Sequence, residues 1–526
     1  MQCKNRLRCF TVSALLCAAA AAHAQDLAIA LATPLRSLDP HERNEAGHNS
    51  VIDHVFETLV GLDARETLRP ALAESWKALD ALNWEFTLRR GVAWHDGLPL
   101  TLDDVIASLN RVAVRPDSAT SFGVFTRRIE SVGRVNARTL RIKTRHPHPL
   151  LPNDLASIRI VQARAAAATA INPADSTLLR VGTGPFRLKE FVAGERVLLE
   201  RHEAYWGTPP MWQRLQLRFM PSAQARAFAL LAGEVQLIEE AAPADLVRLA
   251  KEPRVQLVSA VTNRLIYLHL DSHRDASPFV TAKNGKPLPH NPLQDARVRR
   301  AMSLALDRSA LVNRLFDGRA EPAGQLLPRT HAGTSPRLSA WPLDIDSARG
   351  LLADAGYPDG FAIVLHSPRN RYPQDLQTAH TVAGMLARIG IRVRVEALPA
   401  EAFFKRLANL EFSFYLAGWS TQTGEGSSPL RALIGTFDPH SGMGQANRGR
   451  FSDAGVDALI RKAMTTLDES QRNALLATAA EKAIGERQAL IPLHHEMSSW
   501  VVRKGFEYTG RSDQATYGFE VRAAMP

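Results

Sequence analysis

The chain has 526 residues and a formal charge of +11, and both numbers limit what it can be. At roughly 100 to 200 residues per domain, it has room for about two to four domains. Its basic residues are scattered and are not interleaved with aromatic ones, which argues against a nucleic-acid groove. All three cysteines, Cys3, Cys9 and Cys17, lie in the first 24 residues, so loss of that segment leaves no disulfide, thiolate metal site or cysteine nucleophile.

The first 24 residues predict a secretory signal peptide. MQCKNRLR carries three positive charges, CFTVSALLCAAAAA is apolar, and AHA precedes an expected cleavage before Gln25. The apolar run is shorter than the roughly 20 residues that a membrane-spanning helix needs. We therefore expect export to the periplasm and a mature charge of +8, because three of the eleven excess positive charges are removed.

Strand patterns open the first half of the chain. Residues 26–41 alternate as a strand that ends in LDPH. The segment NWEFTLRRGV predicts a second strand, with Trp84, Phe86 and Leu88 on one face. Both patterns indicate strands with one buried face.

Turn and cap signals divide the segments that follow. Thr101 and Asp104 form a capping pair at the start of the helix DDVIASLNRV. Between residues 186 and 199, two alternating strands flank a turn that contains Gly194, which predicts a hairpin. The helical segment ARAFALLAG stops at Gly233, a suitable residue for a left-handed cap.

The second half begins with an amphipathic helix pair, NPLQDARVRRAMSLALDRSALV. FAIVLHS, IRVRVEAL and EFSFYLAGW are apolar strands separated by helical segments, a βαβαβ pattern with right-handed crossovers. Ligands of such sheets bind at the carboxyl ends of the strands. We therefore expect the loops HSPRNRY at 366–372 and GWSTQTGEGSSP at 418–429 to face one cleft.

Catalytic and metal-binding patterns are not found in the sequence. No Gly-x-Ser-x-Gly motif lies between a strand and a helix, as a nucleophile elbow requires. His494 and His495 lack the spacing of a metalloprotease helix and face opposite sides of the strand IPLHHEM, so they cannot hold one ion together. We expect no catalytic residue, metal ion or other cofactor, although contact of these histidines with a bound metal or haem stays an open alternative.

Ligand-binding residues have better support. Trp419 ends an apolar strand beside small polar residues, where it forms either the wall of a site or part of the core. Arg369 and Arg371 lie in a loop at the same expected cleft, where each is either a solvated surface residue or a planar fork for a carboxylate.

Five motifs occur in an order that resembles one protein family. They are WEFTLRRGVAWHDGLPLTLDDV, VGTGPFRLKEFVAGERVLLERHEAYWG, NPLQDARVRRAMSLALDR, LLADAGYPDG and the strand that ends in GW. With these motifs the chain resembles the bacterial extracellular solute-binding proteins of family 5, which are the dipeptide-, oligopeptide- and nickel-binding receptors of ABC importers. The matching blocks run from about residue 26 to about residue 505.

The resemblance implies an α/β protein with the two-lobed periplasmic binding protein fold, type II-like, with a hinge between the lobes. The first lobe would be built from both ends of the mature chain, residues 25–267 and 485–526, with an extra subdomain at about 60–185. The second lobe would be an insertion at 268–484. A solute would be trapped between the lobes when the hinge closes.

The resemblance also implies which residues contact the solute. Peptide-binding relatives hold the ligand's amino group with an Asp three residues after the Trp of GW, a position that Gln422 occupies here. Either Glu425 has taken the role of the missing acid, or the ligand presents no free amine there. The relatives' carboxylate-binding Arg precedes a Tyr, which matches Arg369 or Arg371 ahead of Tyr372. The opposite lobe is expected to contribute four residues: Leu38, Asp39, Gly184 and Phe186.

The function that these expectations describe is that of a periplasmic receptor of an ABC importer. It would bind a short peptide or a peptide-like solute and deliver it, as a monomer, to an inner-membrane permease with its ATPases. A receptor for a metal chelate, haem or another non-peptide anion is the alternative on the same fold, and it would suit the missing acid at Gln422. A secreted peptide hydrolase and a chaperone-like or signalling receptor without a permease are alternatives of other classes.

Overall fold

The computed structural model describes residues 26–113, 122–167, 180–421 and 423–524. The expected signal peptide and the predicted site residue Gln422 lie outside these ranges. Within them, no helix combines the length and the apolar character that crossing a membrane requires.

Short helices and strands alternate along the described chain. The strands are β1 (Asp26–Leu31), β2 (Val60–Leu62), β3 (Leu68–Pro70), β4 (Ala73–Ala78), β5 (Asn83–Leu88), β6 (Ile129–Arg134), β7 (Thr139–Thr144), β8 (Phe186–Val192), β9 (Arg196–Arg201), β10 (Arg214–Phe219), β11 (Leu237–Glu239), β12 (Val255–Leu270), β13 (Val280–Thr281), β14 (Ala320–Pro322), β15 (Ala362–Arg369), β16 (Arg392–Pro399), β17 (Phe414–Trp419), β18 (Leu490–Arg503), β19 (Phe506–Glu507) and β20 (Arg522–Ala523). The α-helices are α1 (Ala46–Ile52), α2 (Leu102–Ala113), α3 (Gly123–Thr126), α4 (Leu151–Leu155), α5 (Ala163–Ala166), α6 (Ala223–Ala232), α7 (Pro243–Leu249), α8 (Ala296–Leu304), α9 (Arg308–Phe316), α10 (Ile345–Asp354), α11 (Asp375–Ala387), α12 (Ala400–Ala408), α13 (Ser427–Pro429), α14 (Ala454–Ala463) and α15 (Glu469–Ala480). Short 3-10 and π-helical turns complete the set: Pro292–Gln294, Leu430–Ile434, Glu481–Glu486 and Gly518–Glu520.

Twelve strands of the described chain form one large mixed sheet. Their order is β13-β15-β17-β12-β18-β11-β1-β10-β9-β8, with β14 beside β18 and β16 beside β15. The first lobe comprises strands β11, β1, β10, β9 and β8 of this sheet, their helices, and the two small sheets formed by β2 to β7. The part from β13 to β17, with its helices, is the second lobe, and the long strands β12 and β18 run through both.

The junction between the lobes is an irregularity in the pairing of β12 with β18. Residues 255–261 pair with 497–503 in the first lobe, and residues 265–270 pair with 490–495 in the second. The register shifts between Val261 and Leu265, where an irregular strand can bend. The lobe boundaries expected at 268 and 484 stay predictions.

Strand β1 separates two cores in the first lobe. Leu27 and Ile29 pack with α1 on one side, whereas Ala30 packs with α6 and α7 on the other. The strand expected over residues 26–41 ends at Leu31, which corrects its length. Pro34 and Pro40 lack the backbone N–H that a ladder requires, so the pattern beyond Leu31 does not form a strand.

A small antiparallel sheet, β4-β5-β7-β6, packs its inner face on α2. Trp84, Phe86 and Leu88 are buried on this face, as their alternation predicts. The Asp104 carboxylate accepts hydrogen bonds from the backbone N of Thr101 at 2.9 Å and from its hydroxyl at 3.0 Å, which confirms the predicted pair at the start of α2. The extra subdomain expected at about 60–185 contains this sheet, and its boundaries stay predictions.

Two glycines take the conformations that the sequence requires of them. Strands β8 and β9 pair as an antiparallel hairpin, and Gly194 lies in its turn with φ of 75°. Helix α6 ends at a left-handed cap on Gly233, with φ of 86°. Both turns confirm the sequence-based predictions, because only glycine adopts positive φ without steric cost.

The second lobe contains the predicted βαβαβ unit. Strands β15, β16 and β17 are parallel neighbours, connected through α11 and α12. Alternate residues of β12 face two cores, with Ile266 and Leu268 on one side of the sheet and Leu265 and Tyr267 on the other. The carboxyl end of β17 therefore reaches the lobe junction, where Trp419 pairs with Leu265.

Candidate functional site

A cavity of about 720 Å³ lies between the two lobes. First-lobe residues form most of its wall, and they come from α1 and the chain that follows it to Ala71, from the loop after α4, from the turn after β9 and from the segment after β19. The other side is formed at the lobe junction and after β17, by Asn263, Arg264, Ser420 and Thr421. This volume lies in the range of small-molecule sites, about 300–1,000 Å³.

Two buried ion-pair networks line the first-lobe side. Arg159 donates to both carboxylate oxygens of Asp53, at 2.7 and 2.8 Å, and the Tyr517 hydroxyl donates to the same carboxylate at 2.6 Å. Arg511 likewise donates to Asp513 at 2.7 Å. Because each charge already has a partner, these networks fix the shape of the wall more than they attract a charged solute.

Glu57 is a carboxylate of this wall whose hydrogen-bond donors are neutral groups. It accepts hydrogen bonds from the Tyr205 hydroxyl at 2.8 Å and from the Trp206 indole N–H at 2.9 Å. Burial raises the pKa of Glu57 to about 7. The Arg89 guanidinium stacks over Trp206 at 4.3 Å and fixes the aromatic side of the cavity.

Glu66 connects the two lobes directly. Its carboxylate accepts hydrogen bonds from the Asn263 side-chain amide at 2.7 and 3.0 Å, and it lies 3.1 Å from Nε2 of His331. Glu66 belongs to the turn between β2 and β3 in the first lobe, whereas His331 belongs to the second lobe. We call Glu66, Asn263 and His331 the interlobe contact.

The backbone after Trp419 approaches the first lobe closely. A Cβ on Gly424, whose φ is 65°, would lie 2.9 Å from the Cβ of Glu66. The Asn153 side-chain amide also donates to the Thr423 carbonyl at 2.8 Å. Glycine at 424 thus permits the interlobe contact to form.

A second charge cluster lies at the junction, beside the cavity. Nε of Arg264 is 3.4 Å from Oε2 of Glu496, and Arg264 lines the cavity. Arg371 also acts on Glu496 electrostatically, and its guanidinium lies 5.0 Å from the ring centre of Tyr372. Burial raises the pKa of Glu496 to about 7, against the effect of the two arginines.

A family model decides the identity of this two-lobed fold. The model for bacterial extracellular solute-binding proteins, family 5 (middle), matches residues 67–439, which is more than half of the chain. The chain belongs to this family. Family 5 proteins are solute receptors, so the cavity between the lobes is the candidate solute site.

Two curated relatives and one solved structure extend the match to nearly the whole chain. Heme-binding protein A of Haemophilus influenzae is 27% identical over 503 residues, which cover 90% of this chain and 88% of that protein. Glutathione-binding protein GsiB of Pectobacterium atrosepticum is 29% identical over 468 residues, which cover 87% of this chain and 86% of that protein. The structure of HbpA2 from Haemophilus parasuis superposes with a TM-score of 0.84 at 24% identity, over 95% of this chain and 100% of that chain, which shows a shared two-lobed fold.

The predicted site residues Trp419, Arg369, Arg371 and Tyr372 lie at strand ends or in loops beside the cavity but do not line it. Trp419 is half-buried against the second-lobe core, while the next two residues, Ser420 and Thr421, line the cavity. Tyr372 is buried, and its hydroxyl donates to the Gly418 carbonyl at 3.4 Å. Arg369 and Arg371 are exposed, and only Arg371 is tied to the junction cluster by the interactions given above.

Glu425 lies inside the second lobe, and its expected role as an amine partner stays a prediction. Its side chain is buried and accepts hydrogen bonds from the backbone N of Ser427 at 3.1 Å and from the Ser427 hydroxyl. Burial raises the pKa of Glu425 to about 7, although Arg472 acts in the opposite direction. Glu425 does not line the cavity, and the position that the family uses, Gln422, is outside the described residues.

Replacing Glu425 with Gln is expected to remove a pH dependence of folding stability. Since the folded-state pKa is raised, the protonated carboxyl contributes stability fully below about pH 4.5, and this contribution is lost as the pH rises towards 7. Between about pH 4.5 and 7, the free energy of unfolding of the wild type is expected to fall by up to about 3 kcal/mol relative to that of Glu425→Gln. Urea unfolding at several pH values measures the difference in unfolding free energy, with the half-buried Glu74→Gln as a control. If the unfolding free energies of the wild type and Glu425→Gln differ by the same amount at every pH, the expectation is contradicted.

The four first-lobe residues expected at the cleft are also packed elsewhere. Leu38 and Phe186 belong to the first-lobe core, and Asp39 forms a buried ion pair with Arg111. Gly184 packs on the backbone just after α1, where an added Cβ would lie 2.7 Å from the His54 carbonyl oxygen. These positions do not line the cavity, and their expected contact with the solute stays a prediction.

His494 and His495 lie on opposite sides of β18, as the strand alternation predicts. His494 stacks on Phe316 at 4.6 Å, and His495 borders a separate small cavity of about 110 Å³. Burial lowers the pKa of each to about 3, so both are neutral at neutral pH. Among the described residues, no group of three or more His, Cys, Asp or Glu side chains is placed to hold a metal ion.

Sequence reasoning missed Arg264 and Glu496. Arg264 belongs to the polar triplet TNR, which interrupts the apolar pattern of β12 where the lobes meet. Glu496 follows His495 on β18 and so points to the other face of the strand. The break in β12 was the available signal, but its meaning depends on the pairing with β18.

Proposed function

We propose that this family 5 protein is the solute-binding component of an ABC importer and binds a short peptide or a peptide-like solute. The observation that carries the proposal is the interlobe cavity, since its wall comes from both lobes. A solute that contacts both lobes binds the closed form better than the open form, and this difference drives closure. No bond chemistry is required for such a receptor.

The polarity of the cavity supports a peptide-like solute. Asn49, Ser420 and Thr421 supply amide and hydroxyl groups for backbone N–H and C=O groups, and Trp206 supplies apolar area. Glutathione, which one relative is named for binding, is a solute of this class. A solute held through its backbone would leave its side chains in wet parts of a cavity of this size.

The proposed partners follow from the family. Delivery to an inner-membrane permease and its ATPases would take place in the periplasm, with the receptor acting as a monomer. The irregularity between Val261 and Leu265 supports a hinge at the junction, because both lobes are joined there by β12 and β18. Closure would bring the permease-binding faces of the two lobes into the docking arrangement.

Ligand identification tests the proposal directly. Native mass spectrometry of the protein purified from the periplasm is expected to show a retained peptide of unaltered mass. Thermal-shift measurements with dipeptides, tripeptides, glutathione and haemin are expected to show stabilisation by at least one peptide. Stabilisation by haemin alone, or hydrolysis of the peptides, would overturn the proposal.

An Arg371→Ala variant is expected to weaken the binding of a retained peptide about tenfold, as loss of a charge-assisted bond does. Arg371 is the loop arginine beside Tyr372 and Glu496, so we favour it as the carboxylate clamp. Arg369→Ala is the matched control, and isothermal titration measures both. A larger loss in Arg369→Ala would move the clamp to that residue, and unchanged affinity in both variants would refute a clamp in this loop.

A further inference from the structure

Two aromatic side chains of the second lobe stay partly exposed at the ends of one ring cluster. Phe279 is 38% exposed and Phe404 is 39% exposed. The rings between them are in contact in series, with centroid distances of 4.9 Å for Phe279 and His366, 4.1 Å for His366 and Phe412, 5.2 Å for Phe412 and Phe403, and 5.3 Å for Phe403 and Phe404. The two exposed rings therefore belong to one surface of the lobe.

Phe279 holds its position with an unfavourable backbone conformation. Its φ is 61°, in the left-handed region that bulky residues rarely adopt. Its carbonyl oxygen accepts a hydrogen bond from the backbone N of Val364 at 3.1 Å, which fixes this conformation beside β15. Strain of this kind accumulates at functional positions, and here it keeps a phenyl ring at the surface.

Three basic side chains border the exposed rings. Lys283 follows Phe279 by four residues, and its carbonyl oxygen accepts a hydrogen bond from Arg392 at 3.3 Å. Lys405 is the neighbour of Phe404 on α12. Lys283, Arg392 and Lys405 are exposed, and none of them forms an ion pair with a carboxylate of the described residues. We call Phe279, Lys283, Arg392, Phe404 and Lys405 the aromatic-basic surface.

The segments that carry the aromatic-basic surface have an excess of positive charge. Residues 279–286 and 392–411 contain six basic and three acidic side chains: Lys283, Lys286, Arg392, Arg394, Lys405, Arg406, Glu396, Glu401 and Glu411. Glu396 pairs with Arg394 at 3.3 Å and with Arg406 at 3.0 Å, and Glu411 pairs with Arg406 at 2.8 Å. The acids are thus concentrated on two of the arginines, and the cations beside the exposed rings keep their charge.

We propose that the aromatic-basic surface binds reversibly to an anionic phospholipid membrane. Basic side chains are attracted by the surface potential of such a membrane, and exposed aromatic rings insert at the boundary between headgroups and acyl chains. The unpaired cations and the exposed rings match both properties. The surface lies outside the interlobe cavity, so the proposal goes beyond the proposed function and does not depend on the solute.

A phospholipid surface fits these residues better than a protein partner does. Two of the three unpaired cations are lysines, which are less frequent at protein interfaces than on the rest of a protein surface. Lysine is a compact point charge without a fixed donor geometry, which suits the diffuse charge of headgroups. Since more than half of each ring is covered, the apolar contribution is small and the attachment is weak. The protein would stay near the membrane without being anchored to it.

Partition between water and phospholipid vesicles tests the proposal. Protein purified from the periplasm is sedimented with vesicles of phosphatidylcholine alone, or of equal parts of phosphatidylcholine and phosphatidylglycerol. The wild type is expected to bind the anionic vesicles at least about tenfold more strongly than the neutral ones. Binding is expected to weaken as the salt concentration rises to about 0.15 M, because the Debye length then falls to about 8 Å.

The triple variant Lys283→Gln, Arg392→Gln, Lys405→Gln is expected to partition into the anionic vesicles about 100-fold more weakly, since each cation contributes about fivefold. Phe404→Ser is expected to weaken binding about fivefold at low and at high salt, because apolar insertion is not screened. Thermal melting checks that each variant is folded.

A matched control removes the same number of charges from the first lobe. The control variant is Arg90→Gln, Lys251→Gln, Lys504→Gln, whose wild-type side chains are exposed and form no ion pair with a carboxylate of the described residues. Because these charges lie away from the aromatic-basic surface, the control is expected to bind within about threefold of the wild type.

The possible failures are distinguishable. If the wild type does not bind the anionic vesicles, or if the two triple variants lose binding equally, the proposal is overturned. If the protein binds native inner-membrane vesicles but not phosphatidylglycerol vesicles, the surface binds a membrane protein and the lipid assignment is wrong. If no peptide binds the wild type, the proposed function is overturned and this inference stands or falls by the vesicle measurements alone.

Discussion

An Asp39→Asn variant is expected to lose about 3–5 kcal/mol of folding stability while its solute affinity stays close to that of the wild type. The Asp39 carboxylate accepts hydrogen bonds from Arg111 at 3.0 and 2.7 Å, and the two side chains are only 3% and 6% exposed. Removing the negative charge leaves the Arg111 guanidinium buried without its counter-ion. The desolvation cost of that guanidinium is then no longer offset.

Chemical unfolding and titration with the retained peptide separate stability from binding. Asp103→Asn is the matched control, because Asp103 pairs with Arg134 on the surface and such pairs contribute at most about 1 kcal/mol. A stable Asp39→Asn variant that no longer binds the solute would contradict the structural role and restore Asp39 as a cleft residue.

A Glu66→Ala variant is expected to release its solute about tenfold faster or more. Opening the lobes requires separation of the Glu66 carboxylate from Asn263 and His331, which lie 2.7 to 3.1 Å away. Hydrogen bonds to charged groups contribute about 1.5–3 kcal/mol each, so their loss favours the open form. Changes in affinity among variants of one binding site appear mainly in the dissociation rate.

Stopped-flow release of the bound peptide and small-angle X-ray scattering of the ligand-free protein measure the two effects. The ligand-free Glu66→Ala variant is expected to have a larger radius of gyration than the wild type. Glu74→Gln is the control, since Glu74 pairs with Arg138 at the surface of the same lobe. An unchanged release rate together with an unchanged radius would show that Glu66 does not hold the lobes together.

The local elements were predictable because their signals are local. The hairpin around Gly194, the cap at Gly233 and the buried face of β5 each depend on a few neighbouring residues, and the structure confirms all three. The alternation of apolar residues predicts a strand over residues 26–41, but the strand ends at Leu31 because the prolines beyond it cannot donate to the ladder. The family, and with it the two-lobed fold, followed from motifs spread along the chain.

The site residues were harder to predict because a loop's position does not fix the direction of its side chains. The expected cleft loops lie near the cavity, but Ser420 and Thr421 line it instead of Trp419, and Glu425 turns into the second lobe. In the first lobe, Pro185 lines the cavity, whereas its neighbours Gly184 and Phe186 are packed inward.

By itself, the sequence determined the element types, the family and the loops that approach the cleft, because periodicity, turn chemistry and ordered motifs are properties of neighbouring residues. The tertiary structure alone decided which charges remain available to a solute. Arg159 is paired by Asp53, 106 residues earlier in the chain, whereas Arg264 lies beside Glu496, 232 residues further along the chain, at the longer distance of 3.4 Å. Whether a charge is free depends on such long-range pairings and on burial, and only the folded chain sets both.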